Sequence, residues 1–409
     1  MFSSEASSCD NDVTRLYCLA LVAGFSLGIF PPLVSILMET KGVKTDLIGF
    51  ASSSYFITMA LTAPLASRSI DRWGIKPVIF VGALCTALLS GCFAFIAQLE
   101  LWFILRALSG VGMGLFLVAG QTAINLVANN DNRTRVATLY SVLLGIGFGI
   151  GPVFAAHMYS YGVIASFLIA SAIIIIGLIL VGSGFYNHKP EPRNVSMSAS
   201  QSLLIIALPL HFILAYGVLE SVMISVLPAI LLQMGGATES TGYPFFAFIA
   251  CSGLGMAVVG QLEKILGKQK LLMLATAVGT LLLFGISGLS LSVQNHGVYG
   301  EQPAFNIEVL LFACGSLGFC LGPMFPLILS IIGDLLEESE LAMGSAWFTG
   351  MFSFGCGLGP ILSSLLVVKS GHREWLFLVS AVLFASVLIH WLIHQIILSR
   401  KFKLNKVNN

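Results

Sequence analysis

Gly147-Phe148-Gly149-Ile150-Gly151-Pro152 and Gly355-Cys356-Gly357-Leu358-Gly359-Pro360 spell one pattern, G-x-G-x-G-P, 208 residues apart in a chain of 409. Each copy sits inside a long apolar run. Glycines at every second position leave a stretch of helix nearly bare, which suits a helix pressed backbone to backbone against another in lipid. The proline that follows bends its helix. The same spacing carries Gly110 and Gly114 onto Gly318 and Gly322. Nearer the N-terminus a shorter spacing holds: Gly49 and Gly74 fall on Gly242 and Gly267 at 193, and Pro32 falls on Pro228 at 196. The residues that lengthen the spacing enter around 292–306, in the loop before the tenth apolar run. The chain therefore reads as one unit used twice in the same direction.

Composition says what medium the two units fold in. Hydrophobic residues make up 57% of the chain and charged residues 10%, with a mean hydropathy of +0.94. A water-soluble domain carries about 25% charged residues. A soluble enzyme and a disordered chain are both excluded, and a net charge of +1 offers nothing to nucleic acid. Runs long enough to cross a bilayer occupy 14–38, 47–69, 77–97, 101–126, 136–159, 162–185, 201–233, 241–262, 269–291, 307–333, 343–368 and 375–398. This predicts an all-α membrane protein of twelve transmembrane helices in two pseudo-symmetric six-helix bundles. The bundles are residues 1–186 and 201–409, and the polar stretch 187–200 links them.

Lys and Arg crowd the loops that share a side with the termini and the linker. Only Lys41, Lys44, Lys369 and Arg373 fall in loops on the other side. That bias places both termini in the cytoplasm. The eight cysteines show neither C-x-x-C nor Cys/His metal spacing and read as small packing residues. His390 and His394 stand one turn apart on the last span, but no third ligand accompanies them, so an interfacial pair is the reading. No cofactor and no metal are expected, and no ATP-binding motif occurs.

After the second span the chain reads Ser67-Arg68-Ser69-Ile70-Asp71-Arg72-Trp73-Gly74-Ile75-Lys76. A weaker copy, Glu263-Lys264-Ile265-Leu266-Gly267-Lys268, follows the eighth span. Span 4 carries Arg106-Ala107-Leu108-Ser109-Gly110-Val111-Gly112. Together with Gly147 to Pro152, these resemble the signatures of the major facilitator superfamily. Asp71, Arg72, Gly74 and Lys76 match its G-x-x-x-D-R-x-G-R-[KR] turn, while Ser67 and Ile75 depart from it. Gly147, Gly151 and Pro152 are similar to its fifth-helix motif, associated with antiporters, although the usual following glycine pair is missing. Gly355, Gly359 and Pro360 repeat that motif in the second half. The resemblance covers nearly the whole chain. It implies alternating access around a solute site between the halves, and a latch at the turn that joins the halves on the cytoplasmic side.

Charged residues inside spans are the next candidates, because each is costly there. Arg106 is the one Lys or Arg clearly within a span. It reads as a cavity or proton-relay residue, or as a structural arginine bonded to backbone carbonyls. Glu220 is the one acid near the middle of a span; Gly24 stands at the equivalent depth in span 1. A carboxyl so placed can bind and release a proton, and the plainer reading is a paired structural acid. His211 can assist a relay or be a satisfied histidine. Gln121, Asn125, Tyr55 and Tyr140 are candidates for the cavity wall or for helix–helix hydrogen bonds. The loop between spans 10 and 11 holds Asp334, Glu337, Glu338 and Glu340 without a Lys or Arg. The resemblance brings it close to the turn after span 2. Asp71, Arg72, Gly74 and Lys76 with Glu337, Glu338 and Glu340 therefore form a candidate charge gate, the alternative being a solvated acidic loop.

These readings converge on a membrane transporter, not an enzyme. It is expected to move a small amphipathic organic solute by proton-coupled export, as a monomer, in a bacterial inner membrane. Uptake by symport, facilitated diffusion and a non-transporting receptor on the same fold stay open at this point.

Overall fold

The computed structural model describes residues 2–127, 133–182, 187, 203–234, 237–295, 307–336 and 341–407. The helices are α1 (Phe2–Thr40), α2 (Thr45–Trp73), α3 (Ile75–Gly91), α4 (Leu99–Val127), α5 (Arg133–Tyr161), α6 (Val163–Gly182), α7 (Ala207–Ser221), α8 (Leu227–Gln233), α9 (Tyr243–Leu266), α10 (Lys268–Asn295), α11 (Ile307–Leu321), α12 (Met324–Leu335), α13 (Leu341–Ser370) and α14 (Trp375–Val407). No strand occurs among the described residues. Eleven helical stretches are long and apolar enough to cross a membrane, and Val163–Ile179 of α6 is a shorter apolar one. The expected all-α membrane architecture is therefore observed.

Two crossings are broken where the sequence reading ran them straight. The seventh passes from α7 through a π turn, Val222–Val226, into α8. Pro228 follows directly; it cannot donate the helical hydrogen bond and its ring crowds the preceding turn, so the ladder slips. The tenth crossing breaks between α11 and α12 at Gly322-Pro323. Many of the buried hydroxyls bond within their own helices, where lipid offers no partner. Thr86 donates to Gly82 O at 2.9 Å, Ser252 to Phe248 O at 2.8 Å and Thr276 to Leu272 O at 2.6 Å.

Alternation of direction puts the two termini and Asn187 on one face, here the linker face, and the α1–α2 turn on the opposite, far face. In the N-terminal half α1 packs on α5 and α6, and α4 on α2 and α3. In the C-terminal half α7 packs on α13 and α14, and α9 on α11. The halves meet along two seams, α2 against α13 and α5 against α9.

Candidate functional site

The two G-x-G-x-G-P stretches build those seams in matching ways. Their outer glycines face inward within each half. A Cβ at Gly147 would run into the Leu21 carbonyl of α1, and one at Gly151 into Gly28. Correspondingly, a Cβ at Gly355 would strike the Leu214 carbonyl of α7, and one at Gly359 the Val218 carbonyl. The middle glycines face the other half: Gly149 takes the Ile249 side chain of α9, and Gly357 takes Ile57 of α2. Each motif's proline carbonyl lies against a glycine across its seam, Pro152 against Gly242 and Pro360 against Gly49. These contacts lie toward the far face, and Phe148 and Phe245 close over them edge to face at 4.8 Å. Gln233 at the end of α8 donates to Thr45 Oγ1 at 2.7 Å, tying the halves at the far surface.

Below this seal the halves part around a cavity of roughly 820 Å³, counting the part open to solvent. Its lining comes from Leu27 of α1, Leu117 and Gln121 of α4, Ser141 to Phe148 of α5, Tyr216 and Glu220 of α7, Ile249 to Met256 of α9, Gly322 and Phe325 at the start of α12, and Phe348 to Phe352 of α13. On α4 and α13 the lining lies in the half nearer the linker face, and on α5 and α9 it reaches the middle of the helix, where Phe148 and Ile249 also join the seal. Glu220 is 4% exposed and is the one carboxyl in the lining. Tyr216, one turn earlier on the same face, donates its phenol O–H to that carboxyl. The Cys356 thiol of α13 lies beside both. Across the cavity Thr349 donates to the Gln121 side-chain oxygen at 2.5 Å, a bond from one half to the other.

The remaining span candidates lie elsewhere. Arg106 is 1% exposed, with its guanidinium carbon 4.9 Å from the centroid of the Tyr55 ring. Its Nε and Nη2, and the Tyr55 hydroxyl, have no hydrogen-bond partner among the described residues. Neither residue lines the cavity. Tyr140 is buried with its hydroxyl over Gly120 of α4, next to Ser141, which does line it. His211 bonds away from the cavity, to His390 Nδ1 at 3.1 Å and Ser386 Oγ at 3.0 Å on α14. The Asn125 side chain lies outside the described residues.

At the linker face, Gly74 has φ 88° and ψ 172° and Gly267 has φ 76° and ψ 154°. This is backbone that only glycine adopts readily, so the paired turns have one cause. Their tethers differ. Over Gly74 sits Asn187 of the linker, which accepts from Lys76 N at 3.1 Å and donates to Trp73 O at 3.2 Å. Beside Gly267, Lys268 Nζ bonds Asp334 at 2.5 Å and Ser330 Oγ at 2.7 Å on α12. Asp334 is thus engaged within its own half. Arg72 lies over the ring of its neighbour Trp73, and no described carboxylate pairs with Arg68, Arg72 or Lys76. Glu337, Glu338 and Glu340 lie outside the described residues.

Sequence reasoning missed Tyr216, Thr349, Asn187 and the ring cluster of Phe325, Phe348 and Phe352. Tyr216 was recoverable, since it precedes Glu220 by one helical turn. The others join elements distant in sequence, and no local pattern marks them.

A family model described as Major Facilitator Superfamily matches residues 16–316 and 302–404. The chain is similar to the uncharacterised MFS-type transporter YfkF of Bacillus subtilis (strain 168). They are 25% identical over 356 residues, which is 85% of this chain and 86% of that protein. It is 22% identical over 381 residues to the uncharacterised MFS-type transporter YcaD of Salmonella arizonae, covering 92% and 94% of the two. Among solved structures, a mutant of the nucleoside transporter NupG superposes with a TM-score of 0.70 and 14% sequence identity. That match covers 93% of this chain and 99% of the other. At such an identity this likeness concerns the fold.

Proposed function

The chain belongs to the major facilitator superfamily, and from that premise we propose that it exports a small organic solute by alternating access, coupled to protons through Glu220. The observation that carries the reading is the position of Glu220: one buried carboxyl, placed between the halves, in the wall of a cavity sealed toward the far face. Rocking about the two glycine seams would expose that carboxyl to each side in turn, so the proton it carries and the solute it faces can be exchanged. The Lys and Arg bias assigns the linker face to the cytoplasm. The protein then acts as a monomer in a bacterial inner membrane, and the cavity faces inward.

In this reading the turn at Asp71, Arg72, Gly74 and Lys76 latches the cytoplasmic side. Arg72 and Lys76 meet Glu337, Glu338 and Glu340 when the inner mouth closes. Each exposed pair is worth about 0.2–1 kcal/mol, so several together can shift a near-balanced equilibrium several-fold. Replacing the three glutamates with Gln should widen the spin-label distances across the inner mouth. An unchanged distribution would make the loop plain solvated surface.

The function itself is tested in proteoliposomes. Counterflow across a panel of organic solutes should identify an exchanged solute, and an imposed pH gradient should drive its accumulation against the proton flux. Exchange that ignores the gradient would reduce the protein to a facilitator. No exchange of any solute would remove transport.

A further inference from the structure

We infer that the cavity takes lipophilic aromatic cations, with Glu220 as their counter-charge and Tyr216, Phe325, Phe348 and Phe352 as their wall. The inference rests on the cavity being the site of the transported solute, and it names the class of that solute.

Charge is the first reason. Among the described residues that line the cavity there is no Lys, Arg or His, and the ionisable side chains are Glu220 and Tyr216. Arg106, the cation within a span of the N-terminal half, is buried against Tyr55 outside the lining. An anionic solute would find nothing to pair with and one like charge to avoid.

Glu220 also needs an occupant of one kind. An ionised carboxylate held away from water must be paired. From its own helix it meets the Tyr216 hydroxyl, and from α13 the Cys356 thiol, neither of them a cation. From α14, His390 is taken up with His211 more than two turns away along α7. A proton or a cationic solute can neutralise Glu220, and the two exclude each other there.

The wall is the third reason. Phe325 meets Phe348 edge to face at 4.9 Å and Phe352 at 5.6 Å, and Tyr216 lies 5.9 Å from it. Aromatic faces attract organic cations and stack on flat rings. A sugar-like solute is served poorly, because the lining holds few hydroxyls and two of them are engaged. Ser252 donates to the Phe248 and Gly318 carbonyls and Thr349 to Gln121.

The test is equilibrium binding to the purified full-length chain. Tetraphenylphosphonium and tetraphenylborate have the same four rings and nearly the same size with opposite charge, and uridine supplies a neutral, hydroxyl-rich comparison. The phosphonium should bind saturably and more than about tenfold tighter than the borate or uridine, as a charge-paired contact in a dry site implies. Acid should displace it. Glu220→Gln should weaken it by a similar factor and Glu220→Asp should restore part of the loss. Phe325→Leu should weaken it several-fold. Equal binding of the two ions, preference for the borate or uridine, or indifference to Glu220→Gln would overturn the inference. If the Gln variant does not fold, the wild-type comparison of the two ions decides alone. Flux is read separately in vesicles. Phosphonium that binds but is never exchanged sinks the transport reading and leaves the class standing. Exchange of other solutes by a protein that binds no phosphonium sinks the class and leaves transport standing.

Discussion

The N-terminal half and the C-terminal half pack alike and are equipped differently. In both, outer glycines of one helix lie on the backbone of the first helix of that half, the middle glycine takes an isoleucine from across the seam, and the proline carbonyl rests on a glycine of the other half. Ile57 and Ile249 are 192 residues apart, within one residue of the spacing that relates Gly49 to Gly242. The chemistry does not follow this symmetry. At the depth where α7 carries Glu220, α1 has Gly24, packed on the Leu144 carbonyl of α5. The helix with the carboxyl breaks into a π turn directly after it, whereas α1 runs through Pro31 and Pro32 unbroken. The repeat thus preserves contacts between backbones, where one added carbon is felt. Titratable groups sit where only one half needs them.

The largest expected effect breaks the comparison at its asymmetric point. Glu220→Gln should abolish accumulation driven by a pH gradient in proteoliposomes and leave only gradient-independent flux. Accumulation at the wild-type level would remove Glu220 from coupling and return the two halves to chemical equivalence.

Next come the symmetric contacts. Gly147→Ala and Gly355→Ala each drive a Cβ into a backbone carbonyl, which cannot move as a side chain can. Each should cost about 1–3 kcal/mol of stability, read as a lowered thermal midpoint of the detergent-solubilised protein. Similar losses would sharpen the equivalence of the halves. A loss confined to one variant would show that the matching seams carry unequal strain.

The linker-face turns separate the halves again. Gly74→Ala and Gly267→Ala should each cost about 1–3 kcal/mol from backbone strain. Gly74→Ala should be the worse of the two, since its new carbon meets Asn187 while nothing lies within 4 Å of the Gly267 position. Asn187→Ala in the Gly74→Ala background should recover that extra part, and a thermal midpoint unmoved by it would dismiss Asn187 as the cause. The smallest effect belongs to the other tether. Lys268 and Asp334 are 27% and 61% exposed, so Lys268→Gln should shift stability by no more than about 1 kcal/mol. A larger loss would make this tether as important to its half as Asn187 is to the first.

Much of this was legible in the chain itself. Long apolar runs with 10% charged residues leave a polytopic helical membrane protein as the solution, because lipid satisfies no backbone group and water no such surface. The G-x-G-x-G-P copies located the tight seams, since glycine at that spacing records contact between backbones. Gly74 marked its own turn, because a φ that only glycine tolerates leaves a mark at one position, and Gly267 stood out as its counterpart 193 residues on. Glu220 stood out for the same reason, a carboxyl being rare and costly in the middle of a span. Tertiary structure decided the rest. That Arg106 turns to Tyr55 while Gln121 reaches Thr349, that Phe325, Phe348 and Phe352 gather around one void, and that Asn187 caps Gly74 are all meetings of residues far apart in sequence. Their side chains are ordinary for a membrane helix, and the direction each one faces is set by packing against partners that no local pattern names.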